Sequence, residues 1–292
     1  MAVSGKRRYR FEIASRDVIR IDPMSSHLRR LVETCREVVT RGSERGPTSE
    51  RAYYAHCLLA KATMHGKSIV TLCDSSLAAG ELPDVGAICV LARCIIEARN
   101  VAAYLLESNI SKNEAHFRLR LLGLNQAVDL TRVNRGLQTS RSDFWSEHSA
   151  TFCREALEGN AAFCALDADH RKSLLRGRTP FQHTRYQGKR PLSAMQESAV
   201  YNLLSHSAHS FGLGLAPFAG YGSATPAGLS NSFAIATSAA VIYLSDCAKR
   251  YRVFRRQAVG VLSEEQMLLL EKAADSSHLI SLLAVIRAKA TH

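Results

Sequence analysis

The sequence predicts an all-α protein that folds as a multi-helix bundle. Only 7 of its 292 residues are proline, and long stretches contain neither proline nor glycine, as helix interiors require. Apolar residues recur in these stretches three and four positions apart, which is the spacing of one helix face. No repeat of fixed length is present, so we expect a bundle and not a solenoid.

The chain divides into a basic N-terminal arm at 1–22, a helical bundle domain at 23–260 and a C-terminal helical pair at 261–292. Ser263 and Gln266 have the spacing of a capping box that opens this last pair. Within the bundle domain, the apolar spacing predicts seven helices. They cover 25–41, 49–77, 85–107, 111–137, 141–166, 193–210 and 230–257.

Two of these helices carry expectations about which side chains face the core. In the second helix, six residues are predicted to point inward because they recur at helical spacing. They are Tyr53, Cys57, Ala60, Met64, Ile69 and Leu72. In the fourth helix, the arginines are expected to form an ordinary solvated surface. They are Arg118, Arg120, Arg132 and Arg135.

The charge of the chain favours a partner that carries phosphate. The formal net charge is +12, and 29 of the 38 basic residues are arginine. Arginine binds phosphate through two parallel hydrogen bonds, so this balance indicates RNA or another phosphate-bearing ligand. A GC-rich genome would raise the arginine content equally well, and both explanations stay open.

Cysteine and histidine spacing gives no support for a metal or another cofactor. The eight cysteines include no C-x-x-C pair, and no E-x-x-H occurs, so neither zinc nor a carboxylate-bridged iron pair is expected. The N-terminal residues lack the apolar segment of a signal peptide. No stretch offers roughly 18 continuous apolar residues, so no membrane span is expected. We therefore predict a cytoplasmic protein with reduced cysteines.

Two polar patterns stand out against apolar helical sequence. On the third helix, a stripe about 60° wide is formed at helical spacing, while nearly all the remaining surface is apolar. That helix is expected to be central, with its stripe facing inward. The stripe consists of Arg93, Glu97, Asn100 and Tyr104. On helix 193–210, the shared polar face includes Tyr201, Asn202, Ser205 and His209.

Docking the two faces would gather an arginine, a carboxylate, two hydroxyls and an imidazole inside the bundle. Such a cluster can be an active or ligand-binding site, because buried titratable groups are over-represented there. It can equally be a hydrogen-bond network that holds the bundle together, and the sequence leaves both readings open.

The arrangement L-x-R-x-x-x-E, followed much later by Y-x-x-L-S-x-x-x-H, resembles a bacterial family of all-helical domains of unknown function. The similarity extends over about residues 50–215. The matching positions are Leu91, Arg93, Glu97, Tyr201, Leu204, Ser205 and His209. These domains are in turn similar to the HEPN superfamily of helical bundles, and the resemblance implies a HEPN-like fold.

Many HEPN proteins are metal-independent ribonucleases of toxin and anti-phage systems, which implies roles for the matched residues. His209 would be the general acid/base, Arg93 would stabilise the phosphorane charge, and Glu97 would orient one of them. Ser205 would hydrogen-bond a phosphate oxygen. The chain departs from the HEPN pattern R-x4-6-H, because Asn202 and two leucines occupy the arginine positions before His209.

The segment 169–192 is a second candidate for contact with nucleic acid. Basic residues alternate there with Phe181 and Tyr186, a combination that can neutralise phosphates and stack bases. Of the segment's seven basic residues, the five expected to contact nucleic acid are Arg176, Arg178, Arg185, Lys189 and Arg190. The alternative is a solvated surface connection.

The leading hypothesis is therefore a HEPN-like RNA-binding protein that acts as a metal-independent ribonuclease in a bacterial toxin or anti-phage system. Its alternatives are a non-catalytic interaction module with a protein partner, and a ligand sensor that uses residues 211–229 as a lid. A homodimer is expected because HEPN-like domains often pair and because apolar stripes after Ser263 call for a partner surface, which could be the same chain's bundle or a second protomer. Those stripes contain Met267, Leu268, Leu270, Leu279, Leu282, Leu283 and Ile286.

Overall fold

The computed structural model describes residues 15–81, 83–137, 140–182, 188–208, 226–277, 279–281 and 283–284. The described residues form an all-helical bundle without a β-strand, and the all-α prediction is confirmed. The helices are α1 (Ser15–Glu44), α2 (Glu50–Ala79), α3 (Val85–Leu105), α4 (Lys112–Leu137), α5 (Ser140–Glu158), α6 (Ala161–Cys164), α7 (Ala168–Leu174), α8 (Ala194–Ala208), α9 (Pro226–Phe254), α10 (Arg256–Val259) and α11 (Glu264–Ala273).

Side-chain caps fix where several helices begin. The Ser49 side chain accepts a hydrogen bond from the backbone N–H of the first turn of α2, and Asp84 does the same for α3. Such caps satisfy N–H groups that have no partner inside the helix. The predicted capping box of Ser263 and Gln266 is present at α11.

The larger of two cores surrounds α3. This helix packs against α2, α8 and α9, and α1 covers the outer side of α2 and α9. Many of its side chains are small or medium-sized, including the fully buried Ala92 and Ile95, which lets neighbours approach on several sides. The prediction that α3 and the helix at 193–210 pack against each other is confirmed.

A smaller core joins α4, α5, α6 and α7. Its centre includes Phe117 and Phe163, whose ring centroids lie 6.1 Å apart. The two cores meet where Leu105 at the end of α3 packs against Leu119 and Leu122 of α4. The basic segment after α7 is attached to this smaller core.

The predicted inward face of α2 is wrong in its first half. Tyr53 is 52% exposed and Met64 is 70% exposed, and Cys57 is exposed as well. The buried face instead carries small residues, because α2 lies very close to its neighbours. At Gly66, an added Cβ would come within 2.9 Å of the Val32 side chain.

The N-terminal part of the chain differs from the predicted basic arm. Helix α1 begins at Ser15, so its first turns fall within the segment 1–22, and it continues through Pro23. Residues 1–14 lie outside the described part of the chain. No described helix is both long enough and apolar enough to cross a membrane.

The apolar stripes after Ser263 mostly face the protein's own bundle. Leu270 and Leu279 are buried in the larger core, and Met267 and Leu283 pack against it. Leu268 is 50% exposed, while Leu282 and Ile286 lie outside the described residues. These stripes therefore find much of their partner surface within the same chain.

Candidate functional site

The predicted meeting of α3 and α8 brings three polar side chains into hydrogen-bond contact. Arg93 Nε donates to Glu97 Oε1 and to the Tyr201 hydroxyl oxygen, each at 3.0 Å. The Tyr201 hydroxyl in turn donates to Glu97 Oε1 at 2.7 Å. The Arg93 guanidinium carbon also lies 4.9 Å from the centre of the Tyr201 ring, within range for a cation–π contact.

The cluster of Arg93, Glu97 and Tyr201 is not buried, and the expectation that the stripe faces inward is wrong at these positions. The Arg93 side chain is 30% exposed and the Glu97 side chain is 48% exposed. The stripe lies along the edge where α8 meets α3, so Tyr201 covers one flank and solvent reaches the other. Burial, followed by the hydrogen bond to Glu97, raises the pKa of Tyr201. The phenol therefore stays protonated at neutral pH and can act as a donor.

The other predicted members of this site are placed differently. Ser205 Oγ donates to the Tyr201 backbone carbonyl at 2.7 Å, a bond within its own helix. Asn202 is exposed. His209 lies outside the described residues. The structure thus brings Arg93, Glu97 and Tyr201 together and commits the Ser205 hydroxyl proton to the α8 backbone.

The remaining stripe residues belong to separate contacts. Asn100 Nδ2 donates to Glu197 Oε1 at 3.3 Å. Tyr104 packs edge-on against Phe181, and its hydroxyl oxygen accepts a hydrogen bond from the Gln182 backbone N–H at 3.3 Å. Burial raises the pKa of Tyr104 well above its usual value. Tyr104 therefore anchors the basic segment and is not part of the Arg93 cluster.

The truly buried charge on α3 is Arg99, a residue that sequence reasoning missed. Its side chain is 0% exposed, and its Nε donates to Asp246 Oδ2 on α9 at 2.6 Å. Its Nη2 donates to the Lys189 backbone carbonyl at 2.8 Å. Burial disfavours the Asp246 carboxylate, but Arg99 and Arg250 outweigh this effect and hold the pKa of Asp246 below its usual value.

Glu197 extends this polar core to α8. Its Oε2 accepts a hydrogen bond from the Tyr243 hydroxyl at 2.6 Å, and burial together with this carboxylate raises the pKa of Tyr243. Arg190 Nη1 lies 3.6 Å from Glu197 Oε1. One signal could have found the network: Glu197 and Asp246 flank a long stretch without charge, and buried acids need cations.

The predicted basic segment therefore splits into two parts. The Arg190 side chain is only 14% exposed and is paired with Glu197, so it contributes to the core. Lys189 is exposed, and its backbone carbonyl accepts from Arg99 and Arg250. Arg185 lies outside the described residues. Only Arg176 and Arg178 remain as exposed arginines of the described segment.

Arg176 and Arg178 line a groove beside α4 and α5, of about 640 Å³. The groove is also lined by residues from the last turns of α4 and from α5. Of its six charged side chains, five are arginine and one is glutamate. They are Arg132, Arg135, Arg154, Arg176, Arg178 and Glu147. We call this surface the arginine groove. Of the arginines expected to be solvated on α4, Arg132 and Arg135 thus face a shared concave surface. The expectation is wrong for Arg118 and Arg120, whose side chains are only 11% and 13% exposed because they pair with acidic residues.

A tight turn places the two loop arginines in the groove. Gly177, between them, has a φ of +64°, and a Cβ there would lie 2.7 Å from the Val128 side chain. Glycine alone accepts both conditions without strain. Asn125 Nδ2 donates to the Gly177 carbonyl at 3.0 Å, and Arg154 Nε donates to the Leu175 carbonyl at 3.2 Å. The turn is therefore held against both α4 and α5.

The charge in the arginine groove is largely unneutralised. Arg135 Nη2 pairs with Glu147 Oε1 at 3.0 Å, and Arg132 Nη1 pairs with Asp129 at 3.1 Å. Both arginine side chains are nonetheless 69% exposed. Within the part of the chain that the structure describes, Arg176 and Arg178 form no ion pair. Such a surface can hold an extended anion, since several guanidinium groups reach solvent from one concavity.

The described residues contain no group of three His, Cys, Asp or Glu side chains placed to hold a metal ion. Comparison with protein-family models, curated proteins and solved structures gives no match. The candidate sites are therefore judged on the chemistry of their own residues.

Proposed function

We propose that this protein binds RNA along the arginine groove. The observation that carries the proposal is the convergence of five arginines from α4, α5 and the turn at Gly177 on one concave surface with a single lining carboxylate. Arginine neutralises phosphate and releases counterions from the nucleic acid, which drives binding without sequence reading. Among the described side chains, those that line the groove include no aromatic ring, so these contacts favour the backbone over the bases.

Salt dependence tests this mode of binding. Each phosphate neutralised on a single strand contributes about 0.7 to the slope of log affinity against log salt. A variant with Arg132, Arg176 and Arg178 changed to Ser should lose most of its RNA affinity and about 2 of that slope. Fluorescence anisotropy with a labelled single-stranded RNA, repeated from low to moderate salt, measures both quantities.

A control with the same loss of charge separates the groove from the net charge. Arg30, Arg36 and Lys61 are exposed residues of α1 and α2, outside the groove. Changing all three to Ser lowers the net charge equally and should leave most of the affinity intact. The proposed RNA site in the groove would be refuted if both triple variants lost RNA affinity equally, or if the natural chain bound no RNA at low salt.

RNA cleavage is the second candidate function, and the Arg93–Glu97–Tyr201 cluster favours it. Arg93 uses Nε for both hydrogen bonds within this cluster, which leaves its two Nη groups to face a phosphate. Tyr201 keeps its proton and could donate to a developing negative charge. Glu97 fixes the orientation of both side chains. In this scheme His209 transfers the protons, as the resemblance to HEPN-like domains implies.

The test of cleavage uses purified protein with labelled RNA and EDTA. His209→Ala should abolish cleavage and leave RNA affinity within about twofold, because loss of a proton-transfer group affects the rate and not binding. Ser205→Ala, which removes only a bond to the α8 backbone, serves as a matched control. RNA that stays intact with the natural chain would reduce the cluster to a structural or protein-binding role.

The same proposal includes the setting of the protein. A HEPN-like domain in a toxin or anti-phage system would act in the cytoplasm, where the eight cysteines, free in the structure, stay reduced. A homodimer would bring two arginine grooves together along one RNA. It has support from Val261 and Leu268, which are 90% and 50% exposed. Light scattering at micromolar concentration measures the mass that decides this point.

A further inference from the structure

A second basic pocket lies at the corner where α1 turns into α2 and α9 gives way to α10. Its volume is about 470 Å³, and it shares no lining residue with the arginine groove. Its polar lining includes three arginines and a threonine, and the described residues place no acidic side chain in it. These four are Arg45, Arg255, Arg256 and Thr48. We call this surface the corner pocket.

Arg255 is the buried member of the corner pocket. It is only 6% exposed. Its Nη1 donates to Thr48 Oγ1 at 3.1 Å, and its Nη2 donates to the Gly46 carbonyl. Its Nε is also buried and has no acceptor of good hydrogen-bond geometry among the described residues, although the Tyr251 hydroxyl is close. The guanidinium thus anchors the α1–α2 turn through neutral oxygens alone.

No carboxylate in the described part of the chain forms an ion pair with Arg45, Arg255 or Arg256. The acid that begins α2, Glu50, is paired with Arg120 on α4. Several other buried or half-buried arginines have acidic partners, as Arg118 has in Glu114 at 2.6 Å, whereas Arg51, like Arg255, donates to backbone carbonyls. A cation withdrawn from water without a counter-charge is unfavourable. The corner pocket therefore has an unmet requirement for negative charge.

We propose that the corner pocket binds a small ligand carrying two linked phosphate groups. Three arginines without a carboxylate match the three or so negative charges of a diphosphate near neutral pH, and guanidinium groups bind phosphate oxygens in pairs. The pocket lies within the range of about 300–1,000 Å³ typical of small-molecule sites. The Thr48 hydroxyl, which accepts from Arg255, keeps its own proton for a phosphate oxygen.

Isothermal titration calorimetry with pyrophosphate tests the proposal, at constant ionic strength and with inorganic phosphate and sulfate as comparison anions. Pyrophosphate should bind roughly tenfold or more tightly than either single anion, because it engages at least one additional arginine. Pyrophosphate should also raise the melting temperature of the natural chain. Absence of binding, or equal binding of all three anions, would overturn the proposal.

Two sets of variants localise the ligand. Arg45 and Arg256 are exposed, so changing both to Gln should leave the fold intact, as a melting curve will check, and weaken pyrophosphate binding roughly tenfold or more. Arg255→Met should weaken it further. The control, Arg176→Ser with Arg178→Ser, removes the same charge from the arginine groove and should bind pyrophosphate normally. Equal weakening by this control would show that only net charge matters.

The phosphates of an RNA backbone could occupy the corner pocket in place of a small diphosphate. Measuring the RNA affinity of the same variants distinguishes the two ligands. The Arg45→Gln/Arg256→Gln variant should bind RNA as the natural chain does, while the groove variant should not. If the corner variant instead loses RNA affinity and pyrophosphate has no effect on the natural chain, the pocket belongs to the RNA surface and the small-ligand proposal falls. If RNA binding is absent throughout but pyrophosphate binds, only the proposed function fails.

Discussion

Arg99 and Arg255 are both almost completely withdrawn from solvent, but their surroundings differ. Arg99 in the α3–α9 interface meets the Asp246 carboxylate at 2.6 Å. Arg255 in the corner pocket meets neutral oxygens: the Gly46 carbonyl, the Thr48 hydroxyl and, close by, the Tyr251 hydroxyl. A charge that is neutralised within the chain stabilises the fold, whereas one left with neutral oxygens can attract a ligand. Burial of a charged residue alone therefore does not indicate which role it has.

The largest expected effect follows from removing the paired arginine. Arg99→Met should lower the free energy of unfolding by about 3 kcal/mol, the lower end of the range for breaking a buried ion pair. The expected loss of stability lies at the lower end because Arg250, which also pairs with Asp246 at 2.7 Å, still neutralises this carboxylate in the variant. Urea unfolding followed by circular dichroism measures it. The comparison variant Arg250→Met, on the more exposed side, should cost clearly less, and the reverse order would contradict the assignment.

A smaller effect is expected when only one hydrogen bond of the same network is lost. Tyr243→Phe removes the donor to Glu197 Oε2 and leaves a nearly buried carboxylate with fewer partners. The expected loss is about 1–2 kcal/mol. In Tyr243→Phe, only Asn100 and Arg190 still contact the Glu197 carboxylate. Adding Glu197→Gln removes this poorly partnered charge, so the double variant should lose less stability than the two single variants added together. Strict additivity of the two single changes would argue against this contact.

Arg93→Ala tests the partly exposed ion pair of α3 against the buried pair of Arg99. Its ion pair with Glu97 is partly solvated, so the change should cost no more than about 1 kcal/mol of stability. The sequence alone, which placed this pair inside the bundle, would have predicted a much larger loss. Thermal melts of Arg93→Ala beside Arg99→Met distinguish the two positions directly. A loss for Arg93→Ala as large as that for Arg99→Met would show that the cluster is buried after all.

The smallest change in stability is expected for Arg255→Met, in spite of its burial. The variant loses two hydrogen bonds, worth about 1 kcal/mol each, but it also removes a charge that has no ionic partner, which offsets them. The free energy of unfolding without ligand should therefore stay within about 1 kcal/mol of the natural chain. Destabilisation as large as that of Arg99→Met would mean that Arg255 has a structural role, and the contrast between the two buried arginines would no longer hold.

The sequence predicts the fold well where the signal is local. The capping box of Ser263 and Gln266 marks a helix start that the structure reproduces at α11. The inward face of α2 is less predictable, because its apolar residues surround the helix. The large side chains Tyr53 and Met64 suggested one face, whereas close packing selected small residues such as Gly66.

The candidate site is predictable only in part, for a related reason. The spacing of Arg93, Glu97 and Tyr201 correctly predicted that these residues meet. It could not distinguish an edge from the interior, because α3 is apolar on nearly every side. The partners of Arg99 are 147 residues away on α9 and in the segment before α8. Three of the arginines that line the groove together with Arg176 lie on α4 and α5. Such pairings depend on tertiary packing that one helix period does not encode.

The position of α9 late in the chain has a consequence during synthesis. Helix α3 ends at Leu105, and α9, which holds Asp246, begins only at Pro226. At translation rates of about 5–20 residues per second, the ribosome needs roughly 6–24 seconds to make the intervening 120 residues. Throughout that interval, the apolar surface that α9 will cover is open and Arg99 lacks its acid. The nascent protein is therefore most vulnerable to aggregation before its last third has emerged.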